Sequence, residues 1–288
     1  MCYTSRKLPA VFSLRPQEHL PARRTVLKKT AALSLALCAA LFGADDKAGE
    51  FVTHTELSYV NTQGNTVTDA FSLDFTGKKA WGAHSVKLDF DALYGTENHK
   101  ENKNKYFGEL NYDWQFAKHF TLNYLAGYKN DKFSGYDYQF YTGPGFKFIA
   151  LEGKVHHLDF QANLLYSIDQ EMDKYFDANG TQINYPDYEG MPGLTREKGA
   201  YDDYYGYIVK GNYSWQITES FKFLEEASYR NNFDNPGNYY VYSKTAVESK
   251  ISDILSMGIS YKVDYMNEPP SDKKYTDTTF MTSLIIDY

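Results

Sequence analysis

The chain has 288 residues, of which 42% are hydrophobic and 17% aromatic, with 27 Tyr and 19 Phe against 3 Trp. Its formal charge is −7, but residues 1–44 carry seven basic residues against one acid, Glu18, which leaves 23 basic and 36 acidic residues, a net −13, for the remainder. That acidic balance argues against nucleic acid as a partner, and no internal stretch nears the roughly 20 apolar residues that a membrane-spanning helix needs.

The N-terminal segment reads as an address. Lys28 and Lys29 precede the short apolar run Thr30-Ala-Ala-Leu-Ser-Leu-Ala-Leu-Cys-Ala-Ala-Leu-Phe42, and the small residues Gly43 and Ala44 follow. A basic stretch, a short apolar stretch and small residues make the signal-peptide pattern. Cleavage is expected between Ala40 and Ala48, with residues 1–44 as extension and signal. Arg23-Arg24 resembles a twin-arginine signal, a route for folded proteins that does not suit a barrel. Cys38 after Leu35-Ala-Leu resembles a lipoprotein site, with Leu37 too large for it. Both cysteines, Cys2 and Cys38, lie in this segment, so the mature chain has no thiol for a disulfide or a thiolate metal site.

From residue 50 onward apolar and polar residues alternate, the period of a strand whose two faces meet different surroundings. At 106–116, Tyr106, Leu110, Tyr112, Trp114 and Phe116 oppose Glu109, Asn111, Asp113 and Gln115. The same reading predicts strands at 50–61, 67–77, 83–95, 105–117, 119–131, 136–149, 154–168, 203–217, 219–231, 238–249, 251–265 and 276–288. Each is long enough to cross a bilayer when tilted. The even connections are short, as at Phe116-Ala-Lys-His119 and Ile217-Thr-Glu-Ser220. The odd ones, Thr96–Asn104, Lys132–Gly135, Asp169–Asp202, Asn232–Gly237 and Asn267–Tyr275, are longer, and Thr62–Thr66 is the tight exception. An even strand number with short turns at one end and long loops at the other predicts an all-β transmembrane antiparallel barrel of about twelve strands over residues 45–288, in the outer membrane of a Gram-negative bacterium.

With lipid outside, the polar face lines the bore. The expected lining is Asp74, Lys87, Asp89, Asp91, Glu109, Asp113, Lys129, Asp159, Lys210, Lys222, Glu226, Arg230, Lys244, Glu248, Lys262 and Asp264. Glu225 breaks the pattern, falling on the outer face with Phe223 and Ala227, which calls for a bulge or a place near an interface. Aromatic girdles are expected from Trp81, Trp114 and Trp215 at the turn end and from Tyr94, Tyr128, Tyr136, Tyr138, Tyr239 and Tyr265 at the other. The last strand carries Phe280, Leu284, Ile286 and Tyr288 on one face, the expected mark read by barrel-assembly machinery.

The acidic 169–203 connection is expected outside, solvated. Asp177-Ala-Asn-Gly180 lacks the ligand spacing of a calcium loop. His156 and His157 are adjacent, so they face opposite sides of a strand. No Gly-x-Ser-x-Gly, paired-cysteine or phosphate-cradling motif occurs, and no cofactor, metal or catalytic residue is expected. The functions that fit are a narrow pore for small polar solutes or an envelope-stress structural barrel. A substrate-selective porin is an alternative, although a one-sided Arg and Lys ladder is missing; a lipid-acting enzyme is a further one.

Three stretches resemble the salt-induced outer-membrane protein family, a YdiY-like domain of unknown function: Asn61-Thr-Gln-Gly-Asn-Thr66, Asp131-Lys-Phe-Ser-Gly-Tyr-Asp-Tyr138 with Gly143-Pro-Gly145, and Asp277–Tyr288. Pro144 and the long connection depart from the family's pattern. The resemblance implies an outer-membrane barrel whose partner is membrane lipid, and it brings no catalytic residues.

Overall fold

A computed structural model describes residues 49, 51–62, 68–270 and 273–288. The expected signal segment, residues 1–44, and residues 63–67, where a tight connection is expected, lie outside the described residues. Twelve strands close into one antiparallel barrel: β1 (Phe51–Thr62), β2 (Thr68–Trp81), β3 (His84–Glu97), β4 (Lys100–Ala117), β5 (Phe120–Asp131), β6 (Tyr136–Glu152), β7 (His156–Glu171), then β11 (Tyr201–Gln216), β12 (Phe221–Asn232), β13 (Tyr239–Lys250), β14 (Leu255–Met266) and β15 (Thr276–Asp287). Between β7 and β11 a separate small sheet forms from β8 (Lys174–Phe176), β9 (Gln182–Ile183) and β10 (Thr195–Glu197). Each barrel strand pairs with its chain neighbour, β7 pairs with β11, and β15 returns to β1. That closing ladder is short, with register only from His54↔Asp287 to Leu57↔Leu284.

The wall is inverted relative to a soluble protein. Leu164, Phe280 and Ile259 stand exposed on the outside, whereas Asn163, Gln139, Ser167 and Lys262 are buried inside. Alternation sorts them, since successive side chains of a strand point to opposite faces. Trp81, Trp114 and Trp215 sit on the outer wall at the turn end, and His84 stacks against Trp81 and Trp114. At the loop end Tyr128 stacks on Tyr138, and Tyr239 lies against Tyr229 and Tyr265. Tyr94 is also outward there, at 45% exposure.

Tyr136 departs from the expected girdle. It is 7% exposed and faces inward, because the β6–β7 register shifts between Tyr136 and Tyr138. The extra residue turns Asp137 outward and Tyr136 into the bore. Glu225 shows the opposite outcome. Neither ladder of β12 carries a register shift, so this carboxylate stays on the outer wall. Ser243 Oγ donates to it at 3.0 Å and Thr245 Oγ1 at 2.6 Å, which stabilises a charge that hydrocarbon would not.

The connections differ less in length than expected. The Thr96–Asn104 segment is mostly strand, and β3 turns into β4 through Asn98 and His99 alone, both at positive φ (49° and 64°). Two positive-φ residues make the tight hairpin turn whose twist matches the strands. The long connection stays out of the bore and leans on its neighbours: Tyr185 donates to Glu101 at 2.6 Å, Lys132 donates to the Tyr185 oxygen at 2.8 Å, and Phe133 meets the ring edge-on. Burial and the Glu101 carboxylate push the Tyr185 phenol above its ordinary value of 10.0. The phenol donates only while protonated, so this contact should outlast pH 10. Tyr185→Phe should therefore speed limited proteolysis within 172–200 while leaving the barrel intact, and an unchanged cleavage rate would contradict the docking.

Gly143 and Gly145 flank Pro144 in mid-strand β6. A Cβ on Gly143 would lie 1.8 Å from the Leu164 carbonyl oxygen, and one on Gly145 would meet the Asn163 side chain at 2.4 Å. These glycines let β7 approach and let Asn163 reach Asn123. Pro144 has no N–H to give, and the β6–β7 ladder skips from Thr142 to Gly145 across it. Gly143→Ala should thus overpack the wall at a cost of about 1–3 kcal/mol, read as a lower denaturant midpoint for the barrel in detergent.

Candidate functional site: the charged bore

One cavity of about 860 Å³ occupies the interior. Its lining reaches from Val52 and Asp287 at the turn end to Phe133, Pro269 and Tyr275 at the loop end. Eleven carboxylates and twelve lysines or arginines line it. Fourteen of the sixteen expected lining residues border this cavity, and the other two, Asp113 and Asp159, also point inward. Asp113 accepts from Lys147 Nζ at 2.6 Å and Asp159 from Asn212 Nδ2 at 2.9 Å.

The charges are organised by reach across the bore rather than along strands. Lys262 of β14 extends to Asp74 of β2 at 2.6 Å and also pairs with Asp91 of β3. Lys244 of β13 meets Glu56 of β1 at 2.5 Å. Lys210 of β11 pairs with Glu109 of β4, on the far side of β7, β6 and β5. Near the loop end Lys105 donates to Asp264 at 2.7 Å, with Lys129 3.7 Å from the same carboxylate. Lys87 sits 2.9 Å from Asp89. These ammonium groups escape the cost of lone burial because a carboxylate faces each of them.

On the β4–β7 side the bore is filled. Asn163 and Gln161 both donate to Asn123 Oδ1 (2.7 and 2.9 Å), and Asn123 donates to Asp113 at 2.5 Å. Tyr141 donates to Glu109 at 2.7 Å, and Leu125, Tyr141, Leu165 and Ile208 form a small apolar cluster around which this network packs. Toward the loop end the Arg230 guanidinium lies 5.0 Å from the Tyr141 ring centre and 4.1 Å from that of Tyr240, while Tyr204 and Tyr240 donate to Asp169. The cavity borders this network at Asn111, Gln161 and Tyr141 and extends past Arg230 and Lys262 on the facing strands.

Several lining residues were not anticipated from the sequence. Lys105 and Lys147 share the inward faces of β4 and β6 with Glu109 and Gly145, so alternation alone could have found them. His54 and Glu56, also unanticipated, cluster with the expected Glu248 at the turn-end foot of the bore, with one ligand-type atom from each lying within 4.8 Å of the others. No spacing rule links Glu248 to the first two residues.

A closed antiparallel barrel with an apolar outer wall, two aromatic girdles and a polar bore is a transmembrane-type β-barrel. The chain belongs to the family described as "Protein of unknown function, DUF481", whose model matches residues 55–288. Among solved structures it is similar to the NanC porin, at 11% identity over 82% of this chain and 97% of that one, with a TM-score of 0.41. It is also similar to the translocator domain of the autotransporter NalP from Neisseria meningitidis (8% identity, 92% and 97% covered, TM-score 0.45) and to the KdgM porin (8%, 83% and 98%, 0.37). No curated protein sequence matches the chain.

The cross-bore pairs give a direct test. Lys262→Met removes the ammonium that bridges Asp74 and Asp91, leaving only Lys244 at 4.0 Å from Asp74 as an ion-pair partner, and should destabilise the barrel by about 3 kcal/mol. Adding Asp74→Asn and Asp91→Asn should restore most of that loss in a denaturant titration, and no recovery would argue that Lys262 acts by packing alone.

Proposed function

We propose that this protein is a narrow pore of the Gram-negative outer membrane that passes water and small polar solutes with little preference for the sign of their charge. The observation that carries this reading is the interior cavity whose lining runs from Asp287 to Tyr275 with nearly balanced charges. A pore selective for anions needs an excess of cationic side chains along its path, and here the lysines face carboxylates. The girdle aromatics would be held by membrane lipid, and β15, with its outward Phe280, Leu284, Ile286 and Tyr288, would present the assembly signal. The reading is one of transport, not of enzymatic turnover.

The salt-induced role implied by the family resemblance belongs to the same proposal. Ion pairs that water can reach weaken as ionic strength rises, since the screening length falls from about 10 Å at 0.1 M to about 3 Å at 1 M. A bore held narrow by Lys–carboxylate pairs would relax in concentrated salt. Purified barrel in planar bilayers should therefore give discrete, ohmic steps whose conductance climbs faster than the bulk conductivity of KCl. Arg230→Ala should enlarge the steps. A correctly folded barrel that yields no steps would leave the second reading, a structural barrel sealed by the Leu125 cluster and the asparagine–glutamine network.

A further inference from the structure

The turn-end foot of the bore holds an arrangement that the pore does not require. His54 Nδ1 lies 2.7 Å from Asp287 Oδ1. An ionised carboxylate only accepts, so Nδ1 carries the ring proton, and in the neutral ring Nε2 is left with a lone pair. Nε2 lies 3.4 Å from Glu56 Oε1, which also accepts from Lys244 Nζ at 2.5 Å, and 3.8 Å from Glu248 Oε1. Glu248 is 7% exposed, and its Oε1 has no hydrogen-bond donor among the described residues. Lys244 neutralises the Glu56 oxygen, but the Glu248 oxygen and the ring lone pair are two acceptors facing each other, which repel unless a cation sits between them.

The surrounding charges leave that cation a place. Lys244 meets Glu56 at 2.5 Å and has Asp74 4.0 Å away as a second partner; Lys222 stands 3.6 Å from the other oxygen of Glu248. Against the carboxylates of Glu56, Glu248 and Asp287 these two ammonium groups leave one negative charge over. The donor set, one imidazole nitrogen and two carboxylates, suits a zinc-class divalent ion, and a ligating histidine normally gives its other ring N–H to a carboxylate. Asp287 stands where that orienting carboxylate belongs.

We propose that His54, Glu56 and Glu248 form a binding site for a zinc-class divalent metal, with Asp287 orienting the histidine. The site joins β1 to β13 over β14 and β15, and its orienting residue lies on β15 at the foot of the short β1–β15 ladder. A bound ion therefore pins the closure of the barrel. This claim does not depend on conduction.

The test is equilibrium dialysis of untagged, detergent-folded barrel against Zn²⁺, read by metal analysis, with denaturant titration alongside. One zinc per barrel is expected, together with a rise in stability that grows with free zinc as mass action requires. His54→Gln and Glu248→Gln should each weaken binding at least about 10-fold, and Asp287→Ala by about 10–100-fold, while all three keep the heat-sensitive gel mobility of a folded barrel. Should one variant fail to fold, the other two decide. Calcium, a hard cation with little use for imidazole, should bind more weakly. Zinc held equally well by the variants, calcium held as tightly as zinc, or no zinc held with stability following pH alone would overturn the proposal; the last result would make a proton on Nε2 the resident cation.

Discussion

A backbone amide inside hydrocarbon has no water to bond, and each one left unsatisfied costs several kcal/mol. A sheet can meet that demand only by having no edge, and the return of β15 to β1 removes it. Everything else in the molecule follows from closure. Once the wall is a cylinder, its outer face must be apolar and its inner face is free to be polar, so the ordinary arrangement of a protein core is turned inside out. The outer carboxylate of Glu225 is tolerated only with the hydroxyls of Ser243 and Thr245 beside it.

Closure also fixes where charge goes. Twelve of the chain's basic residues line the cavity, although the chain as a whole is acidic. Curvature brings strands that are distant in the ladder to face each other across a few ångströms of bore, which is how Lys262 meets Asp74 and Lys210 meets Glu109. A strong field of one sign would repel itself in so narrow a tube. Pairing removes the repulsion and, in the same stroke, sets how much room a solute finds.

The strands were legible because each side chain of a lipid-facing wall answers to one of two solvents, and alternate residues record which. That is why Glu109, Asp113 and Lys262 were placed inside from the sequence. The reading failed where the backbone departed from strict alternation, as when the shift near Tyr138 turned Tyr136 inward. It also failed at Asn98 and His99, since a tight turn without glycine leaves no compositional mark. Partnerships across the bore were not legible at all. Which lysine meets which carboxylate depends on the curvature of the closed wall, and so does the meeting of His54 and Glu56 with Glu248.

The wall is not equally strong around its circumference. Neighbouring strands are zipped along nearly their whole length, as β2 and β3 are from Thr68 to Glu97, yet β1 and β15 share rungs only from His54 to Leu57, besides the pair of bonds between Thr53 and Tyr288. Toward the other end that junction has little but the Ser58–Ser283 hydroxyl contact. The upper half of β1 is therefore held to the wall from one side only, by its ladder to β2, like a sleeve stitched only at the cuff, and the β1–β15 junction is where the cylinder has least to lose by parting.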